Sequence, residues 1–461
     1  MSRLPARFPR AYLDICGLTL IAISLNLVKI GSRSIVLDES TSILYGRSSF
    51  SSLLQVLTKD DPNMGLYYLL LNFWVRIFGE SEAAVRSLSA IFGALAVPAI
   101  YLLGARLFGR TLGLAAGLLL ALDAFIVQYA QTARAYALLV LLVTLSSYFM
   151  VVELERPSKR SRMGYVLTSA LAVYAHYFAA YVLVVHFGTV VAMKRRAALK
   201  WLEVAAAILL LCAPEAIFAY RDDAAHHRLG WIARPSLKDI VPVLANLAGG
   251  GRVLLVALLA GGCYAIVSAV RDRRYWPTGF VAAWLVVPVV LSFALSFVRP
   301  MFFPTYLIIC VPALVLFGTG ALARVRRPVV AAALVAPLVC LSAIRLAGFY
   351  RGDSGFPPPE DWRKATGYVL AATRPGDAVV FYPPWVNAPF DYYLRKNEVA
   401  GPANITRQAP VGRERIWLVI RDPNAAARFP EIRQFQASLT ERYRLVERRE
   451  FHRVEVELYM R

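Results

Sequence analysis

Acidic residues are scarce in this 461-residue sequence: 30 Asp and Glu stand against 51 Lys and Arg, a formal charge of +21. Charged residues of both signs amount to 18%, which is low for an ordinary soluble surface. The five cysteines (Cys16, Cys212, Cys263, Cys310, Cys340) all fall in apolar runs without paired spacing, which argues against both a disulfide framework and a cysteine zinc site. The first apolar run follows Arg3, Arg7 and Arg10 but has no small-residue cleavage site, so a retained first span is expected rather than a signal peptide. What the chain has in abundance is hydrophobic residues, 58% of the total, with a mean hydropathy of +0.53. That composition indicates a membrane protein with many spans. The basic excess then has to be divided among loops before any nucleic-acid reading is entertained, and no nucleic-acid partner is expected.

Apolar runs of about twenty residues mark spans. They occur at 12–30, 84–105, 112–129, 135–153, 163–177, 178–193, 201–220, 252–270, 277–297, 303–322 and 328–347, which gives about eleven transmembrane helices. The run Met64–Phe78 is short and carries Asn72 and Arg76; counting it as a span would break the positive-inside rule, so it is read as interfacial or re-entrant. With eleven spans every dense basic cluster is cytoplasmic, including Arg156 to Arg162, Arg271 to Arg274 and Arg324 to Arg327. The other face then collects loop 31–83, Gln131 to Arg134, the turn at His176-Tyr177-Phe178, loop 221–251 and the stretch Arg299 to Pro304.

Beyond about residue 348 the pattern becomes polar, with a Pro-rich hinge at Phe356 to Pro359. Ala378 to Tyr382 and Ile416 to Ile420 read as buried strands, Val454, Val456 and Leu458 as one side of a half-exposed strand, and Glu360 to Ala372 and Phe429 to Leu439 as helices. The expected division is a membrane domain at 1–347 and a small α/β domain at 348–461, outside the membrane because eleven is odd.

Within the first loop, Asp38 and Glu39 stand side by side just after the first span. Carboxylates beside a bilayer are costly unless used. Asp38 as a helix cap is the plain alternative.

Several stretches resemble the GT-C class of lipid-linked membrane glycosyltransferases, specifically glycosyltransferase family 39 and its aminoarabinose-transferase relatives. Asp38-Glu39 is similar to their first-loop acidic motif. Leu66 to Leu71, Phe78 to Ser89, Tyr101 to Gly109 and Tyr129 to Tyr136 continue the resemblance in order. Ala175 to Phe178, Glu360 to Arg363 and Arg374 to Asp377 resemble downstream motifs. The chain departs from the family pattern at Asn63-Met64-Gly65, where members commonly have His or Lys and prolines. It departs again at Thr132, where a second carboxylate is usual, and at Thr305, where Arg is common before Tyr306.

The resemblance implies a GT-C-like helical fold and transfer of a sugar from a polyprenyl-phosphate donor to a lipid, glycan or protein hydroxyl on the outer face of the cytoplasmic membrane. Asp38 is then the base and Glu39 an orienting or metal-facing carboxylate. Cations facing the leaving phosphate are expected on the same side. Arg134, with Tyr136 nearby, and Arg299 fit that need, or else snorkel to the interface; Arg86 could do either. His176 could bind metal, carry protons or pack as an aromatic. Asn63 occupies a donor-contact position, and the aromatic stretch with Tyr67, Tyr68, Phe73 and Trp74 suits a prenyl groove or an anchoring belt. A divalent metal near Asp222-Asp223 and His226-His227 is conceivable but not required. The rival reading is a transporter or flippase for lipid-linked sugars, with Asp123 its chief intramembrane candidate; a third is a family member without activity.

Overall fold

The computed structural model describes residues 8–59, 63–193, 198–221, 232–273, 275–325, 327–353, 360–397, 404–405, 412–426 and 430–461. The hinge at Phe356 to Pro359 and the pairs Asp222-Asp223 and His226-His227 lie outside them. The chain divides into two compact units. The first comprises 1–28, 48–78 and 85–356; the second gathers 29–47, 79–84 and 357–461.

The first unit is helical. Among the described residues, eight helices are long and apolar enough to cross a membrane: Arg10–Leu27, Glu82–Phe108, Tyr136–Glu155, Trp201–Phe218, Arg252–Arg271, Tyr275–Leu295, Tyr306–Arg324 and Pro328–Arg351. Arg110–Leu122 and Ala124–Ala130 together make a ninth, bent by 61°. Asp123 causes the break: its carboxylate accepts from the backbone N–H groups of Phe125 (2.9 Å) and Ile126 (3.0 Å), capping the second piece at the positive end of its dipole. The intramembrane acid singled out for a transport role is therefore engaged as a helix cap.

All eleven apolar runs are helical. Two of them, Lys159–Ala175 with 17 residues and Ala179–Met193 with 15, are shorter than the twenty or so residues a hydrocarbon core requires. Gly65–Phe78 is a separate 14-residue helix. It divides its aromatics between two faces, with Tyr67 and Tyr68 buried and Phe73 and Phe78 exposed. Helices Arg252–Arg271 and Val311–Thr319 approach backbone to backbone: a Cβ on Gly261 would lie 2.1 Å from the Gly318 carbonyl oxygen. Small residues at such crossings let membrane helices pack closely.

The second unit is built on a five-stranded sheet of β1 (Ala378–Tyr382), β2 (Asn404–Ile405), β3 (Arg415–Arg421), β4 (Arg444–Phe451) and β5 (Val454–Met460), in the order β2-β1-β3-β5-β4. β1 runs parallel to β2 and β3, while β5 is antiparallel to β3 and β4. Val380, Ile416, Leu418, Ile420 and Tyr459 pack with Ile432 and Leu439 of helix Pro430–Thr440. β5 lies between β3 and β4 and is buried on both faces, contrary to the half-exposed reading of its alternating charges. Glu457 is wholly buried and is satisfied by Gln436 (3.0 Å), Arg448 (2.8 Å) and the Tyr459 hydroxyl (2.8 Å). Partnering of this kind is what makes a buried carboxylate tolerable.

The motif residues of this unit have structural roles. Glu360 accepts from the Trp362 indole (2.7 Å) and from Arg421 of β3 (2.8 Å). Asp361 caps helix Trp362–Ala372 by accepting from the Lys364 N–H. Gly376, at φ 94°, turns the chain into β1, and Asp377 accepts from the Arg374 N–H and the Trp417 indole, both at 2.9 Å.

Candidate active site

In the second unit, helix Leu37–Arg47 begins with the acidic pair, and the structure separates its two members. Glu39 is buried and its carboxylate accepts from the Val36 N–H at 3.3 Å, the reach-back of a capping box. Asp38 lies in the same first turn but is exposed, and none of the helix's N–H groups is bonded to its side chain among the described hydrogen bonds. The capping task falls to Glu39, leaving the Asp38 carboxylate to face outward at the positive end of the helix.

In the first unit, most of the other candidates meet. Tyr68 accepts from Arg134 Nη1 at 2.9 Å, and Ser89 bridges Tyr67 (2.8 Å) to the Arg134 carbonyl (3.1 Å). The Tyr136 ring lies 5.8 Å from that of His176, and Asn63 Oδ1 accepts from the Tyr177 N–H at 3.5 Å. His176 is buried, and its Nδ1 accepts from the Phe178 N–H at 3.3 Å. The proton of the neutral ring therefore sits on Nε2, which has no hydrogen-bond partner among the described residues. The site thus presents a guanidinium, phenols and a buried imidazole N–H, all groups suited to an anion. Arg299 lies where helix Tyr275–Leu295 unwinds, its N–H donating to Leu295, and Arg86 is buried.

Thr132 bonds back to the Gln128 carbonyl at 2.7 Å. Thr305 pairs with the Tyr129 hydroxyl at 2.5 Å. Neither departure leaves an idle polar group.

Two features were not legible in the sequence. Tyr306 joins the cluster, 5.6 Å from the His176 ring and stacked on Phe178 at 4.9 Å. Glu215, in the span Trp201–Phe218, is buried, with Oε1 lacking a partner among the described residues. A buried carboxylate in a membrane helix is itself a functional signal; in the sequence it stands only as one acid in an apolar run. No group of three or more His, Cys, Asp or Glu among the described residues is arranged to hold a metal.

Residues 60–218 match the family model described as dolichyl-phosphate-mannose-protein mannosyltransferase. ArnT of Cupriavidus metallidurans is similar in fold, both in its apo state (TM-score 0.63, 13% identity, 98% of each chain covered) and bound to undecaprenyl phosphate (0.62, 13%, covering 96% of this chain and 97% of that one). The chain has the fold of this membrane protein, and its segment 60–218 is similar to the mannosyltransferase family. The oligosaccharyltransferase of Archaeoglobus fulgidus is a more distant likeness at TM-score 0.51 and 15% identity, covering 82% of this chain and 61% of the archaeal chain. No curated protein sequence matches this chain.

Proposed function

We propose that the chain transfers a sugar from a polyprenyl-phosphate donor to a hydroxyl of a lipid, glycan or protein, with inversion, on the outer face of the cytoplasmic membrane. The observation that carries the proposal is the exposed, uncommitted Asp38 carboxylate beside a buried Glu39 that does the capping. Asp38 takes the acceptor's hydroxyl proton as that oxygen bonds the anomeric carbon. The bond from the same carbon to phosphate oxygen breaks, and its electron pair leaves with the polyprenyl phosphate. Arg134 and the Nε2–H of His176 stabilise the charge that develops there, with Tyr68 and Tyr136 orienting them. Tyr67 and the rest of Gly65–Phe78 carry the prenyl chain, and Arg299 is a further cation on this face. ArnT bound to undecaprenyl phosphate supports a lipid-phosphate ligand.

The proposed topology has a cytoplasmic N-terminus and an extracytoplasmic domain over 348–461. It draws support from the second unit, which unites the loop after the first span with the C-terminal residues. One compact unit lies on one side of a membrane, so an even number of crossings separates its parts. Nine or eleven spans satisfy this; eight do not.

The test is to incubate purified protein in lipid with a panel of radiolabelled polyprenyl-phosphate sugars and to measure released lipid phosphate. Release with one donor is expected. Movement of intact donor across sealed vesicles, without release from any donor, would overturn the proposal in favour of a flippase.

A further inference from the structure

The stretch just before the acidic pair, Gly31 to Val36, has no helix or strand of its own, so its backbone groups must be satisfied from elsewhere. Within the second unit, the partners come from the C-terminal residues. The Arg363 guanidinium donates to three successive carbonyls, those of Gly31 (3.0 Å), Ser32 (3.2 Å) and Arg33 (3.3 Å). Its backbone N–H donates to the Ser34 hydroxyl at 2.9 Å. The Tyr393 hydroxyl accepts the next backbone proton, from Ile35, at 2.8 Å. Five consecutive residues are thereby fixed, ending three short of Asp38.

The two anchors share a third group. Glu82 is buried and accepts from Arg363 at 2.9 Å and from Tyr393 at 3.4 Å, with Lys396 also bonded to it. A carboxylate held by two cations and a phenol fixes all three donors, because shifting any one leaves a buried charge short of a partner. Gly31 also passes close to Ala83, so the strap lies flat against the residue following Glu82.

We propose that Arg363, Tyr393 and Glu82 are positioning residues for Asp38, and that the C-terminal domain acts as a clamp holding the catalytic loop in register. The inference rests on Asp38 being the base. None of the three touches substrate; each acts through the strap. The Glu360 to Arg363 motif then has a function beyond starting a helix, since Arg363 spends its donors on the strap and on Glu82.

The test uses full-length protein in lipid nanodiscs with Tyr393→Phe, Arg363→Gln and Arg363→Lys, and Asp38→Asn run beside them. Hydrogen exchange over residues 31–41 should speed up in Tyr393→Phe and Arg363→Gln while the strands of the sheet stay protected. Turnover should fall about tenfold to a hundredfold, the cost of displacing a reacting group by around 1 Å, with KM for the donor unchanged. Arg363→Lys should restore part of the loss, since one ammonium replaces part of the fork. Unchanged exchange at 31–41, or faster exchange with turnover intact in a protein that Asp38→Asn inactivates, overturns the clamp. General loss of protection across 360–461 would reduce the three residues to a folding role and also overturns it. Full activity in Asp38→Asn would overturn the base assignment instead, and the exchange data would still decide whether the strap is clamped.

Discussion

Replacing Asp38 with Asn changes one oxygen into an amide nitrogen on a side chain that is exposed and caps nothing. Because Glu39 provides the capping contact, folding should be almost indifferent, within the roughly 0.5 kcal/mol typical of surface substitutions. Loss of a general base costs about a hundredfold to ten-thousandfold in rate, equivalent to about 2.7 to 5.5 kcal/mol of activation free energy. The two effects therefore differ several-fold and fall on separate observables. The assay is turnover with the cognate donor and acceptor, alongside donor affinity and thermal melting of the same preparation. The expected result is wild-type melting and donor binding with turnover reduced at least a hundredfold. Glu39→Gln is the contrasting control: it weakens the reach-back to the Val36 N–H and should cost about 1 kcal/mol of stability, with an intermediate loss of rate through disorder of the first turn. Wild-type turnover by the Asp38→Asn protein would refute the assignment of Asp38 as base.

Arg134→Ala should weaken the donor about tenfold to a hundredfold, the usual range for losing a charged hydrogen bond, and Arg134→Lys should weaken it less; equal KM values for all three proteins would identify Arg134 as an interfacial anchor. Gly261→Ala should lower the melting temperature in detergent by the equivalent of about 1 to 3 kcal/mol, because the new methyl meets the Gly318 carbonyl; unchanged melting would show that the helices separate at no cost. Burial, with the charge of Glu457 beside it, pushes the Glu455 carboxyl up from 4.5 to about 6. A raised carboxyl costs stability once it ionises, so the second unit should lose about 1 kcal/mol as pH rises from about 4.5 to 6. Glu455→Gln should abolish that slope in melting curves, and a slope of the opposite sign would contradict the reasoning. Reporters fused after Arg162 or Arg274 should read cytoplasmic and one after Phe349 extracytoplasmic; a cytoplasmic reading after Phe349 would sink the proposed topology.

The apolar runs were legible because span length and charge asymmetry are properties of sequence windows. Every run is helical, although Lys159–Ala175 and Ala179–Met193, at 17 and 15 residues, are shorter than the eight long spans. β1 and β3 were legible as uninterrupted apolar stretches. β5 was not, because Glu455 and Glu457 look like solvent-facing charges until Arg448 and Gln436 arrive from other elements. The same limit applies to the site. Asp38 and Glu39 are adjacent carboxylates in sequence, and only the helix start at Leu37 assigns one to capping and the other to solvent. Asp123 carried the appearance of an intramembrane transport residue, but the 61° break that it caps is a three-dimensional fact. Glu215 and Tyr306 depend on packing between helices distant in sequence, which no local spacing encodes.

The partners of the strap are separated from it by about three-quarters of the chain: Arg363 lies 332 residues after Gly31, and Tyr393 lies 358 after Ile35. At a synthesis rate of about 5 to 20 residues per second, roughly 20 to 70 s pass between translation of the loop and translation of the groups that hold it. During that interval the chain gains its remaining spans, from Glu82 to Arg351, before any of its strap anchors from 363 onward. A polypeptide arrested before residue 360 would thus be an inserted membrane protein whose first loop has no Arg363 or Tyr393 to order it.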